Sequence, residues 1–246
     1  MRHLRYLLFL SIAIPGAFAD TIVVPNANAT TVGNDPNGIT LPPSAIRQQL
    51  IIGSGQFNSV GAPMLIDGFY LRSAPGTGNV DFELNFQVTL STTQAFPNTS
   101  SGHSLPSDTF NNNVGADATV VYNGVFDVDQ TGCTTGPCPF NIFLPFSTNF
   151  WYDHNAGRLL IDLTISDPSG GTQTTSGALD EVSFSNSLTS VMATVDGSPG
   201  NATTGTVSLG GPILQLDFTP TPEPGSAWLL ALGGPVAFWL RRRAVR

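Results

Sequence analysis

Val80-Asp81-Phe82-Glu83-Leu84-Asn85-Phe86-Gln87-Val88-Thr89-Leu90 alternates without a break, six apolar residues against five polar ones. Successive side chains of an extended chain point to opposite faces, so this segment predicts a strand with one face buried and the other in water. Leu159, Ile161, Leu163 and Ile165 repeat the pattern around Asp162 and Thr164, and Leu214, Leu216 and Phe218 repeat it around Gln215 and Asp217. Runs at 49–53, 65–72, 119–128, 140–146, 182–185, 191–195 and 206–209 read as further strands. Asp35-Pro36-Asn37-Gly38, Asp167-Pro168-Ser169-Gly170-Gly171, the 74–79 segment and the 196–200 segment carry turn chemistry between them. Residues 44–50 read either as a helical turn or as the approach to a strand, and the polar 91–118 stretch reads as a long connecting loop. Many short strands with little helical periodicity predict an all-β body, an antiparallel β-sandwich or jelly roll.

Charge narrows the partners. From Asp20 to Thr221 the chain has no lysine, and three arginines (Arg47, Arg72, Arg158) stand against 16 acidic residues, a formal charge of −13. The whole-chain value of −8 conceals this, because the remaining six arginines lie near the two ends. A body this acidic repels phosphate backbones and anionic membrane surfaces, which excludes nucleic acid as a partner.

Cys133 and Cys138 stand in Cys-Thr-Thr-Gly-Pro-Cys. Four intervening residues with a Gly-Pro bend suit a small disulfide-closed loop in an oxidising compartment, and they do not suit the two-residue spacing of a thioredoxin-like centre. Asp127-Val128-Asp129-Gln130-Thr131-Gly132 has the carboxylate and glycine spacing of a calcium-loop opening, but Cys138 stands where the bidentate Glu belongs. Asp127 and Asp129 therefore carry two readings, a Ca²⁺ site or plain solvated carboxylates; no other cofactor is implied. Trp151-Tyr152-Asp153-His154 also carries two. Trp151 and Tyr152 exposed together make a platform for a sugar ring; alternating into the core, they leave 153–157 as a hairpin turn to the Leu159 strand.

No G-x-S-x-G elbow, H-E-x-x-H run or histidine-rich cluster occurs, and the body has just two glutamates, Glu83 and Glu181. The expectation is a non-enzymatic protein. A carbohydrate-binding module is the alternative, and a secreted glycoside hydrolase, needing two carboxyls roughly 5–9.5 Å apart, is the third reading.

The ends carry targeting chemistry. Arg2 and Arg5, the short apolar run to Ile14 and Ala17-Phe18-Ala19 form a secretory signal pattern with cleavage before Asp20. At the other end Pro220 to Pro224 is proline-rich, Ala227 to Leu240 is uncharged, and Arg241-Arg242-Arg243 follows directly. An arginine cluster there acts as a membrane stop on the cytoplasmic side and leaves the body outside. The 16 residues from Gly225 to Leu240 make a helix of roughly 24 Å, marginal for a full span.

Pro222-Glu223-Pro224, the apolar segment and the arginine run together resemble the PEP-CTERM sorting tail of Gram-negative bacteria. The resemblance is confined to the last 25 or so residues. It implies that Pro222, Glu223 and Pro224 are recognised by an exosortase, a transpeptidase-like membrane enzyme that cuts near the motif. The body then passes from the inner membrane to the cell surface or beyond, often in species that make exopolysaccharide. Gly225 stands where serine is frequent, a departure from the common pattern. The expected organisation is a signal helix at 1–19, an exported β-sandwich at 20–219 and a sorting tail with a transmembrane helix at 220–246. The expected partners are the inner membrane, the processing enzyme and a surface polysaccharide.

Overall fold

The alternating segment lies within a 14-residue strand that is hydrogen-bonded on both sides and second from the edge of a large sheet. The computed structural model describes residues 20–39, 45–60, 63–166 and 177–220. The signal segment, the sorting motif, the arginine cluster and the 167–171 turn lie outside the described residues. Within them run twelve strands: β1 (Asp20–Val24), β2 (Asp35–Ile39), β3 (Ile46–Ile52), β4 (Met64–Leu71), β5 (Val80–Thr93), β6 (Thr119–Gln130), β7 (Ile142–Tyr152), β8 (Arg158–Ser166), β9 (Leu179–Ser183), β10 (Met192–Gly197), β11 (Thr206–Pro212) and β12 (Leu214–Pro220).

The body is all-β and every strand pairing is antiparallel. A four-stranded sheet has the order β1-β12-β4-β7, and an eight-stranded, curled sheet has the order β2-β9-β11-β10-β3-β8-β5-β6. Val80, Phe82, Leu84, Phe86, Val88 and Leu90 of β5 are all buried, in one cluster with Ile66 and Phe69 of β4, Leu144 and Phe150 of β7, and Leu216 and Phe218 of β12. Each large apolar side chain buried there contributes about 1.5–3 kcal/mol relative to exposure. Among the described residues no helix is long and apolar enough to cross a membrane, and the expected terminal helices fall outside them.

Several elements differ from expectation for identifiable reasons. The turn-like Asp35-Pro36-Asn37-Gly38 lies in β2, an edge strand, which is where a sheet tolerates proline. Residues 46–52 are strand, paired with both β8 and β10, which settles the 44–50 ambiguity for its described part. The 153–157 turn is no hairpin: β7 belongs to the small sheet and β8 to the large one, so this turn carries the chain between layers. The connecting loop begins at 94 and packs down. Phe110 is fully buried against Ile51, Leu160 and Val195, making a second small core on the outside of the large sheet.

The layers join at a corner where the chain runs from β11 through Ile213 into β12. Gly210 is where β11 changes partner from β10 to β9, and its φ of +123° and its missing Cβ, which would lie 2.0 Å from the Val182 carbonyl oxygen, both require glycine. Beside it the chain leaves β4, and residues 72–74 bind 178–180 of the large sheet: the Ala74 N–H donates to Ala178 at 2.7 Å and the Asp180 N–H to Arg72 at 3.0 Å. Arg72 is itself buried; its Nε donates to Asp180 Oδ2 at 2.8 Å and its Nη2 to the Thr31 carbonyl at 2.6 Å, while the Gly33 N–H donates to Asp180 Oδ1 at 3.0 Å. Against this same corner packs the crossing from β6 to β7, closed by the Cys133–Cys138 disulfide (Cα–Cα 5.7 Å), with the Gly76 N–H donating to the Cys133 carbonyl at 2.8 Å.

Removing one member of a buried ion pair strands the other. Arg72→Ala and Asp180→Ala should each lower the unfolding free energy by about 3–5 kcal/mol in urea titrations followed by circular dichroism, while Arg72→Met with Asp180→Leu recovers most of the loss. Single variants as stable as the parent would remove the pair from its role at this corner.

Candidate functional site

The small sheet turns its outer face outward with an unusual set of side chains. In β4 and β7 the core takes Met64, Ile66, Phe69 and Leu71, and Ile142, Leu144, Phe150 and Tyr152. Alternation then sends Leu65, Asp67 and Tyr70, and Phe143 and Trp151, to the other side. Register sorts them into three rows across the sheet. Thr219, Leu65 and Trp151 form the first; Thr21, Asp217, Gly68 and Pro145 the second; Val23, Gln215, Tyr70 and Phe143 the third.

Trp151 is 54% exposed and Phe143 37%. Phe143 stacks on Tyr70 with ring centroids 4.2 Å apart and an interplanar angle of 22°. Gly68 makes room for this, since a Cβ there would meet the Phe143 ring at 2.8 Å. The stacked pair and Trp151 are roughly 15 Å apart along the strands. Between them lies Asp67, at an irregularity in the register on both sides of β4. Its Oδ2 accepts from Thr219 Oγ1 at 2.8 Å, and its Oδ1 is the one buried side-chain polar atom among the described residues without a hydrogen-bond partner. Burial, and then the charge of Asp67, push the Asp217 carboxyl up.

The large sheet's outer face is built differently. Arg47 forms a two-pronged pair with Asp162 (Nε–Oδ1 3.1 Å, Nη2–Oδ2 2.7 Å), Gln49 donates to Asp162 Oδ2 at 2.8 Å, and Asn113 donates to Gln49 at 3.0 Å. These bonds bind the 94–118 segment to the sheet beside a groove of about 550 Å³. A second groove of about 800 Å³ runs along that segment, near Phe96, which is sandwiched between His103 (3.4 Å between centroids) and the Arg158 guanidinium (3.3 Å). The polar side chains singled out on this face bond mainly to one another, so it reads as internal joinery.

The expected site residues fare unequally. Trp151 is presented to solvent, but Tyr152 is fully buried, edge-on to Phe57, with its hydroxyl donating to Gly157 at 3.1 Å. Neighbours on a strand face opposite ways, so the two cannot form one platform; the partners of Trp151 on its face are Tyr70 and Phe143. Asp127 and Asp129 project from the extended end of β6, opposite Glu83 and Asp81 of β5, and do not wrap around an ion. No group of three or more His, Cys, Asp or Glu side chains suited to a metal ion occurs among the described residues. The two glutamates stand five strands apart in the large sheet and do not converge. Tyr70 and Phe143 escaped sequence reasoning because their stacking depends on cross-strand register; the one local trace is the exposed position of Phe143 within an otherwise alternating 142–146 run.

The chain matches no family model, no curated protein and no solved structure.

Glu181 of β9 faces Asp35 of β2 directly across the ladder. Burial first, then the charges of Asp35 and Asp196, push its carboxyl from an ordinary 4.5 up to about 7. The folded protein thus holds this proton more tightly than the unfolded chain does. The resulting stability is fully present below about pH 4.5 and is lost as pH rises to about 7. Glu181→Gln should flatten that part of the melting-temperature profile and stabilise the protein at pH 8 by on the order of 1 kcal/mol, allowing for solvent screening of a half-exposed group. Parallel profiles for parent and variant would refute it.

Proposed function

We propose that this is an exported, non-enzymatic protein of the cell surface or extracellular matrix, delivered by its PEP-CTERM-like tail, that holds polysaccharide on the outer face of its small sheet. The observation that carries the reading is the placement of Trp151, Tyr70 and Phe143 on one open β-sheet face with polar groups between them. Aromatic rings offer flat apolar surface to the C–H faces of sugar rings at low entropic cost, and Asp67, Asp217, Gln215 and Thr219 offer partners to hydroxyls. A long glycan spans such a face without needing a deep pocket.

The sorting half of the reading rests on Pro222, Glu223, Pro224 and the Arg241-Arg242-Arg243 cluster in the sequence. A disulfide at Cys133–Cys138 suits an oxidising compartment outside the cytoplasm. An aromatic sheet face and a removable address together make sense for a protein that is released into a polysaccharide layer and retained there.

Two measurements test the two halves separately. Trp151→Ala and Phe143→Ala should each weaken retention on insoluble polysaccharide at least severalfold while leaving the circular dichroism spectrum intact; unchanged retention by folded variants would remove the face from the function. Fractionation of cells expressing an internally tagged chain should show the body leaving the inner membrane, and Glu223→Ala should trap it there. Equal release from the Glu223→Ala chain and the parent would sink the sorting reading.

A further inference from the structure

The aromatic face carries a charge asymmetry that bears on which glycan it takes. No Lys, Arg or His occurs in any of the four strands of the small sheet. The three arginines among the described residues are committed elsewhere: Arg47 to Asp162, Arg72 to Asp180, and Arg158 to the ring of Phe96. Between the two aromatic positions stand Asp67 and Asp217, in adjacent strands, and burial followed by the charge of Asp67 pushes the Asp217 carboxyl up. Asp67 Oδ1 has no donor. Thr219 supplies one bond to the opposite oxygen, and among the described residues no basic side chain pairs with either carboxylate.

We infer that the ligand of this face is an amine-bearing glycan, a polymer containing free glucosamine-type ammonium groups, with Trp151 and the Tyr70–Phe143 pair stacking its rings and the Asp67–Asp217 pair taking its ammonium. This rests on the proposed glycan-binding role and specifies the ligand class. An ammonium brought against two neighbouring carboxylates meets opposite charge and makes charge-assisted hydrogen bonds to them. A neutral sugar supplies the donor but not the charge. A uronate-rich polymer meets like charge on the face and a body of net −13 behind it.

The test is calorimetric titration of the full-length chain in mild detergent at pH 5.5, using glucosamine oligomers, their N-acetylated counterparts and oligouronates of equal length. Glucosamine oligomers should bind about tenfold or more tightly than the acetylated ones, with affinity falling as salt rises, and oligouronates should not bind. Asp67→Asn with Asp217→Asn should erase the preference while weak binding of the acetylated oligomer persists. Glu83→Gln with Asp127→Asn removes the same formal charge from the other sheet and should leave the preference intact. Equal binding of free and acetylated oligomers, or equal losses in the two double variants, would overturn the ammonium inference and leave the glycan face standing. Trp151→Ala separates the levels: if binding of every oligomer is indifferent to it, the glycan-binding reading falls with the inference.

Discussion

A guanidinium and a carboxylate sealed from water hold the corner on which the two sheets turn. Arg72 and Asp180 are both buried, a costly arrangement unless other groups complete their bonding. They are completed: the Thr31 carbonyl accepts from Arg72, the Gly33 N–H donates to Asp180, and the Phe140 ring lies 4.7 Å beneath the guanidinium. The pair thereby specifies where four separate stretches of chain must meet. With residue 72 anchored to the large sheet, β4 is committed to the small one up to Leu71, and its alternation decides which side chains reach solvent. The aromatic face is a consequence of that anchorage.

The same economy applies to every cation in the described body. Arg47 lies 4.6 Å from the Phe110 ring centroid, Arg72 lies over Phe140 and Arg158 over Phe96. Each guanidinium joins an otherwise distant segment to a sheet by ring contact, and two of the three add an ion pair. Positive charge is spent on internal joints, and the acidic residues that remain define the surface. On β5 and β6 they stand opposite one another, Asp81 against Asp129 and Glu83 against Asp127. Like charges in register cost some stability. Along β6, the edge of the large sheet, they also discourage pairing with a second copy.

What was legible in the sequence was whatever depended on a period of two. β5, β8 and β12 declare themselves because one face of each is core and the other solvent. β2 does not, because proline and glycine in 35–38 carry turn chemistry and only pairing with β9 makes the segment a strand. β7 was read as ending at 146, since Ser147-Thr148-Asn149 is polar; there the register with β4 jumps from Pro145 opposite Gly68 to Phe150 opposite Ile66. Ending the strand early hid the consequence that Trp151 and Tyr152 must face opposite ways. Arg72 and Asp180, 108 positions apart, leave no local pattern. The scarcity of arginine was visible, and a cation kept in so acidic a body is a signal that it is structurally engaged.

The two outer faces are treated in opposite ways. Over the large sheet the chain spends residues 94–118 on a cover, with Phe110 driven into a second core and Gln49, Asn113, Asp162 and Arg47 bonded beneath it. The apolar side chains beneath this cover are buried, while Val120 and Val125 on the edge strand β6 stay exposed. On the small sheet Trp151 and Phe143 remain open to solvent, and Gly68 is kept free of a side chain so that Phe143 can lie against Tyr70. Leaving a tryptophan half in water forgoes about 1–2 kcal/mol of burial that a smaller or polar residue would not forgo. A fold that buries Phe110 beneath a dedicated segment and leaves a ring pair and an indole together on the other open face is best explained if that face has an external occupant. Aromatic rings at both ends of an open sheet face, with acceptors between them, suit an occupant that is extended, apolar on one side and rich in hydrogen-bond donors.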